Sequence, residues 1–248
     1  MQLSELNDYI GRLLEISRFR DYCPNGVQVE GRAEIIRVAT GVTASKRLLE
    51  AATAWGADAI IVHHGYFWRN EEATLTGIKK QRIAHLLRHD VSLLAYHLPL
   101  DAHAELGNNA QLALRLGLLA RGNFGEQDIA WHGELQQPQT LSQFSAHITD
   151  TLQRTPLVIG DSERTLRRIA WCTGAAQSYF EQAVALGVDA FLSGEISEQS
   201  VHIAEETGVA FIAAGHHATE RYGVQALGEH LAQQFKIEHR FFDMDNPV

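Results

Sequence analysis

The chain has 248 residues, 45% of them hydrophobic, so it is long and apolar enough to bury a core without disulfide bonds. Its net charge is −9 and its 21 lysines and arginines are scattered, which argues against nucleic-acid binding through a basic surface. The start of the sequence lacks the basic and apolar segments of a signal peptide, and no 18 consecutive residues are apolar, so we expect a cytoplasmic protein with no membrane contact. Cys23 and Cys172 lie outside any CxxC pair, so we expect reduced thiols.

Apolar periodicity predicts strands and helices that alternate along the chain. In chain order, the expected elements are a helix at 3–16, strands at 27–29 and 35–41, a helix at 44–55, a strand at 58–62, a helix at about 78–89, a strand at 91–96 and a helix at about 107–117. This alternation indicates an α/β fold with largely parallel, mixed sheets and helices on both faces. Residues 120–140 are polar, and we expect an irregular connection there.

The second half of the chain repeats the first. Residues 37–59 align without a gap on residues 168–190, because 168 − 37 and 189 − 58 both equal 131. The alternative is that any two strand–helix–strand units look alike, but a gapless match of this length favours duplication. We therefore expect two related α/β repeats, 1–127 and 128–248.

Polar side chains that can bind metals follow the predicted strands at their carboxyl ends, where ligands collect in open parallel sheets. They are His63, His64, His97 and Asp101 in the first repeat, and His216 and Glu220 in the second. The His-x-x-x-acid spacing, found twice, puts both side chains on one face of a helical turn. The alternatives are a buried, hydrogen-bonded His-His pair and solvated helix faces. The joint occurrence at strand ends favours a metal site.

Imidazole and carboxylate together suit zinc, manganese, iron, cobalt or nickel, and the set lacks the thiolates of a closed structural zinc site. A carboxylate shared by two ions is typical of two-metal hydrolases. No G-x-G-x-x-G, phosphate-loop or G-x-S-x-G motif occurs, so dinucleotide, P-loop and serine-hydrolase chemistry have no support.

Four segments together resemble a known family: residues 24–31 (PNGVQVEG), 62–65 (VHHG), 97–101 (HLPLD) and 215–220 (GHHATE). It is the NGG-one-interacting-factor-three-like family, also called the GTP cyclohydrolase 1 type 2 homologs, and the short bacterial YbgI-type members are the most similar. The resemblance covers essentially the whole chain. Many members have proline where this chain has Gly65, and the inserted middle domain of some relatives is missing here.

The resemblance implies two intertwined α/β repeats, a toroidal homohexamer and two divalent metal ions per chain. The implied metal ligands are His63, His64, Asp101, His216 and Glu220. Glu220 would bridge the ions, and His97 would act from the second coordination shell or as an acid–base group.

Two functions follow as hypotheses. The first is a metal-dependent hydrolase acting on a phosphoester or, like a cyclohydrolase, on a nucleotide-derived ring. The alternative is a non-catalytic, metal-loaded scaffold or regulatory protein. The two differ in whether metal removal abolishes turnover or only stability.

Overall fold

The computed structural model describes all residues, 1–248, and the chain forms two compact units. The first unit contains residues 1–106 and 223–245, and the second contains residues 107–222 and 246–248. The chain therefore leaves the first unit and later returns to it. These units do not coincide with the expected repeats, 1–127 and 128–248. The repeats describe a duplication in the sequence, and they stay a prediction.

Nine α-helices and eleven strands alternate along the chain. Up to residue 106 they are α1 (Leu3–Leu13), β1 (Gly26–Val29), β2 (Arg37–Thr43), α2 (Lys46–Trp55), β3 (Ala59–His64), α3 (Gly77–His89), β4 (Ser92–Ala95) and α4 (Leu98–Ala102). The others are α5 (Asn108–Leu116), β5 (Leu118–Phe124), β6 (Ala130–Thr140), α6 (Leu141–Leu152), β7 (Leu157–Ile159), β8 (Thr165–Cys172), α7 (Phe180–Ala185), β9 (Ala190–Ser193), α8 (Glu198–Thr207), β10 (Ala210–Ala213), α9 (His216–Phe235) and β11 (Glu238–Phe241). No helix is long and apolar enough to cross a membrane.

The first unit is built on a five-stranded sheet in the order β1-β4-β3-β2-β11. Only β1, at one edge, is antiparallel to its neighbour. Successive residues of a strand face opposite sides, so Ile61 and Leu94 pack with α1 and residues 223–235 of α9, whereas Ile60 and Leu93 pack with α2 and α3. Burial on both faces explains why these strands are nearly continuous apolar runs.

The second unit is built on a six-stranded sheet in the order β5-β6-β8-β9-β10-β7. The central strands β8, β9 and β10 are parallel, and the outer pairings are antiparallel. Trp171 and Leu192 face a core formed with α5 and α6. On the other face, Phe180 of α7 contacts Phe211, with ring centroids 4.9 Å apart. The expected α/β fold class, with mixed sheets and mostly parallel central strands, is confirmed.

The same backbone anchor occurs in both units at the repeat offset. In the first unit, Asp58 Oδ2 accepts hydrogen bonds from the backbone amides of Ile36 (2.9 Å) and Arg37 (2.8 Å). In the second, Asp189 Oδ2 accepts bonds from the amides of the two residues 131 positions later, 167 (2.8 Å) and 168 (2.9 Å). Each aspartate thereby ties the start of one parallel strand to the start of the next.

The expectation of an irregular connection at residues 120–140 is wrong. This segment contains most of β5 and all of β6, which pair antiparallel. Strand β5 and the second half of β6 are largely exposed, whereas Trp131 and Leu135 in the first half of β6 are buried in the core. Arg121 pairs with Glu134 across the two strands at 3.2 Å. A strand with little buried surface needs few apolar residues, so its sequence lacks the alternation that identified the other strands.

Candidate metal centre

His63 and His64 lie at the carboxyl end of β3, where the buried apolar run of the strand stops. His63 is fully buried, and its Nδ1 lies 3.0 Å from the carbonyl oxygen of Tyr96. Because a carbonyl only accepts, Nδ1 carries a proton, and in the neutral ring Nε2 has the lone pair. His64 is half-buried beside it, with ring centroids 4.5 Å apart. The two imidazoles therefore lie side by side at the end of β3.

Asp101 lies in the short helix α4 and is only 6% exposed. Its Oδ1 is 3.4 Å from Nε2 of His63, the nitrogen that has the lone pair in the neutral ring. Burying a carboxylate is costly unless a cation or donors compensate it. A lone-pair nitrogen and a carboxylate oxygen that face each other in a buried place are a donor set that a divalent cation would satisfy.

His97, four residues before Asp101, contacts a partner that the spacing did not indicate. Its Nδ1 lies 2.7 Å from Oδ1 of Asp21. Asp21 also accepts hydrogen bonds from the backbone amide of Leu98 (2.9 Å) and the side-chain amide of Asn25 (2.9 Å). Burial of Asp21 opposes ionisation, but these bonds and the charge of His97 lower its pKa overall. Asp21 is therefore a carboxylate that fixes the His97 ring, and the ring of Trp68 lies 4.9 Å from that of His97.

The sequence analysis did not identify Asp21 as a site residue. It lies 76 positions from His97, so no spacing rule connects them. The sequence feature that could have indicated Asp21 is its position three residues before segment 24–31, which is one of the four segments that carry the family resemblance. Cys23, close to both Asp21 and His97, is a poor ligand in this setting because burial and the charge of Asp21 raise its pKa to about 12.

In the second unit, His216 and Glu220 lie on the first turns of α9. Glu220 is only 3% exposed, and its Oε2 is 3.1 Å from Nε2 of His216, so the predicted shared face is observed and it is not a solvated one. Nδ1 of His216 lies 2.6 Å from Oε1 of Glu195. Burial disfavours the charged imidazole, but the hydrogen bonds and charges of Glu220 and Glu195 raise the pKa of His216 to about 9.

Glu195 occupies the position that His64 has in the first repeat, since 195 − 64 equals 131. Glu195 follows strand β9, and His64 ends strand β3. This position near a strand end is the sequence feature that could have identified Glu195 as a site residue. A carboxylate bonded to the outer nitrogen of a histidine is a common support for a metal-binding imidazole.

The loop after β8 closes over Glu220 and His216 from within the second unit. Gly174 has a φ of +68°, and a Cβ added there would lie 2.1 Å from Oε1 of Glu220 and 3.2 Å from Nε2 of His216. Its backbone amide donates a hydrogen bond to Thr219 Oγ1 at 3.1 Å. The backbone thus approaches the carboxylate more closely than any side chain would permit. Neither Gly174 nor Thr219 was predicted as a site residue.

The chemistry of these donors fits divalent metal ions. In the first unit, one ring nitrogen each from His63, His64 and His97 lie within 4.8 Å of one another, so this group could hold an ion. The group includes His97, for which the sequence predicted an acid–base or outer-shell position. Asp101 offers a buried carboxylate beside it, and the second unit offers a histidine and a buried glutamate. Nitrogen and carboxylate oxygen donors without thiolate are typical of catalytic rather than structural zinc-type sites.

Comparisons with known proteins agree with the resemblance. The model of the Duf34/NIF3 (NGG1p interacting factor 3) family matches residues 1–247. A "GTP cyclohydrolase 1 type 2 homolog" of Pseudomonas aeruginosa is 53% identical over 99% of this chain and 98% of the relative, and one of Escherichia coli is 47% identical over the full length of both. A solved structure of protein ybgI, described as of unknown function, has 46% identity and a TM-score of 0.97 over both whole chains. The protein TTHA1606 from Thermus thermophilus has 31% identity and a TM-score of 0.92, again over both whole chains.

Proposed function

Because the chain belongs to the Duf34/NIF3 (NGG1p interacting factor 3) family, we propose that it is a metal-dependent hydrolase that holds two divalent ions per chain. The ligands that we propose are His63, His64, Asp101, His216 and Glu220. The observation that carries the proposal is the buried pair of His63 Nε2 and Asp101 Oδ1, 3.4 Å apart, in which both donors face each other away from water. Zinc, manganese, iron, cobalt and nickel all suit this ligand set.

Divalent ions in such a site supply a hydrolytic nucleophile at neutral pH, because they lower the pKa of water to about 7. The residues of the chain would orient and transfer protons around it. Asp21 holds the proton of His97 on Nδ1, which leaves Nε2 to accept or return a proton as an acid–base group. Glu195 holds Nδ1 of His216 in the same manner and directs its Nε2 towards Glu220.

The substrate class that we propose is a phosphoester or a nucleotide-derived ring, opened as a cyclohydrolase would open it. The names of the relatives support the ring, since they are called homologs of GTP cyclohydrolase 1 type 2. Trp68 supports it independently. Its ring lies 5.9 Å from that of His64 and is held by a hydrogen bond from Nε1 to the carbonyl of Gly65 (3.2 Å), so it offers an aromatic surface beside the histidines.

Metal analysis of the purified protein tests the ligand assignment. We expect close to two ions per chain, and we expect Asp101→Ala to lose at least one of them because a buried ligand is removed. Asp150→Ala is the matched control, since Asp150 is an exposed aspartate on helix α6. Full metal retention by Asp101→Ala would rule out the assignment.

A chelator experiment distinguishes the hydrolase from the scaffold. The metal-loaded and chelated proteins would be compared in thermal unfolding and against phosphoester and cyclohydrolase substrates. Metal-dependent turnover with little change in stability supports the hydrolase. A large loss of stability on chelation, with no turnover of any substrate before it, supports the non-catalytic alternative.

The proposal includes a cytoplasmic location and a toroidal homohexamer, both carried over from the resemblance. Light scattering of the purified protein is the direct test of the assembly, for which we expect about six times the chain mass of 27.6 kDa. A monomeric or dimeric mass would refute the hexamer and leave the ligand assignment to be tested by metal analysis.

A further inference from the structure

The first unit has a cavity of about 490 Å³ that contains none of the proposed metal ligands and neither Asp21 nor His97. Residues of helices α2 and α3 line it. They include four cations, two aliphatic side chains and one histidine. The volume lies within the range of pockets that hold small organic molecules, about 300–1,000 Å³.

The lining is strongly basic in a protein that is acidic overall. It contains the cations Lys46, Lys80, Arg82 and Arg88 and no carboxylate, whereas the whole chain has a net charge of −9. One nearby acid, Glu50, forms an exposed ion pair with Lys46 at 3.6 Å, and exposed pairs of this kind are weak. The cavity therefore has an excess of positive charge that attracts an anion.

Arg82 provides the most specific observation. The Nε of its guanidinium is buried and has no hydrogen-bond partner. Arg82 is only partly exposed, so its charge is less screened by solvent than those of the exposed cations Lys46, Lys80 and Arg88. The planar guanidinium matches the geometry of phosphate oxygens and can donate two parallel bonds to them.

The other part of the lining is apolar. Leu49 is buried, whereas Ile78 is 66% exposed and lies beside the cations of the lining. His85, also in the lining, has its pKa lowered by burial and by the neighbouring charge of His89. It is therefore neutral at neutral pH and adds a polar edge rather than a fifth charge.

From these observations we propose that the cavity binds a small organic phosphate. Arg82 would hold the phosphate together with the adjacent lysines, and the organic part would lie against Ile78 and Leu49. This site is separate from the proposed metal centre and does not depend on the hydrolase function. A phosphate fits better than a carboxylate because its second charge is matched by the surplus of cations.

Calorimetric titration of the full-length protein with phenylphosphonate tests the proposal, since this probe has an apolar ring and no ester bond to hydrolyse. We expect Arg82→Gln to weaken its binding about tenfold or more, as expected when a charged, desolvated donor is lost. The matched control is Arg47→Gln, which removes one charge from an exposed position of α2 outside the lining, and we expect it to change the affinity by less than about twofold.

The apolar half is tested separately with Ile78→Ala. We expect this variant to weaken phenylphosphonate binding about threefold to fivefold and to leave inorganic phosphate binding unchanged, because only the ring contacts the side chain. Ile78 is exposed, so its removal leaves the fold intact even if Arg82→Gln proves unstable. Lys80 is also exposed, so Lys80→Gln is a second test of whether the cations of the lining bind the phosphonate group.

The proposal is refuted if phenylphosphonate shows no binding at about 10 mM, the millimolar limit of weak small-molecule affinity. It is also refuted if Ile78→Ala and Lys80→Gln both bind as the wild type does. Binding that is lost in Asp101→Ala but retained in Arg82→Gln would assign the phosphonate to the metal centre instead of the cavity. That result would refute the proposed phosphate site and would not contradict the proposed hydrolase function.

Discussion

Replacing Gly174 by alanine tests whether the loop after β8 holds Glu220 and His216 in position. Two separate effects are expected. The residue has a φ of +68°, a left-handed conformation that costs alanine about 1–2 kcal/mol. In addition, the new Cβ would lie 2.1 Å from Oε1 of Glu220, which is far inside van der Waals contact.

The second effect is the larger one. Glu220 is 3% exposed and its Oε2 is 3.1 Å from Nε2 of His216, so the carboxylate cannot move away without breaking a buried contact between opposite charges. We expect the loss of this contact to cost about as much as the loss of a hydrogen bond to a charged group, about 1.5–3 kcal/mol. We therefore expect Gly174→Ala to lower the free energy of unfolding by about 2.5–5 kcal/mol, the combined effect of the backbone conformation and the lost contact with His216.

Gly187→Ala is the matched control. Gly187 lies in the same unit with a φ of +69°, but the nearest atom to its added Cβ is the flexible Nη1 of Arg168 at 3.4 Å, an ordinary contact. This variant should lose only the backbone component, about 1–2 kcal/mol.

Urea unfolding at pH 7 in a chelator measures both glycine variants without a contribution from metal, and metal analysis is then done without the chelator. We expect only Gly174→Ala to lose bound metal. Equal destabilisation by the two variants, or full metal retention by Gly174→Ala, would refute the reasoning.

Two further predictions concern the same structural features. In the presence of a chelator, the stabilising contribution of protonated His216 should decrease as pH rises, because its pKa is about 9 in the folded protein and 6.5 ordinarily. The contribution is fully present below pH 6.5, is lost as pH rises through 9, and is at most about 3 kcal/mol. Urea unfolding at pH 6 and pH 9.5 measures it, and a His216→Gln variant that keeps the same pH dependence would contradict the assignment. Asp58→Ala and Asp189→Ala should each lower the free energy of unfolding by about 1–3 kcal/mol, because each leaves two backbone amides without their acceptor. A negligible effect for either aspartate in urea unfolding would show that the two anchors are not equivalent.

The sequence was sufficient for the elements that are buried on one or both faces. The strand predicted at 58–62 is β3, the helix predicted at 78–89 is α3, and the helix predicted at 107–117 is α5, with ends that differ by one or two residues. These predictions succeed because apolar periodicity is a property of adjacent residues, and burial imposes it wherever a strand or helix meets the core. The same argument explains the failure at 120–140, because β5 and the second half of β6 are mostly exposed and are held by backbone pairing rather than by apolar burial.

The sequence by itself also determined which residue types lie at or just after the ends of the parallel strands: His63 and His64 end β3, and Asp101 lies in the helix that follows β4. It could not determine what supports them. Asp21 lies 76 positions from His97 and Glu195 lies 21 positions from His216, so only the folded chain shows that each carboxylate holds the Nδ1 of its histidine. The physical reason is that strand ends follow from local patterns, whereas hydrogen bonds between side chains distant in sequence depend on how the strands are ordered in the sheet. That order is a property of tertiary packing alone.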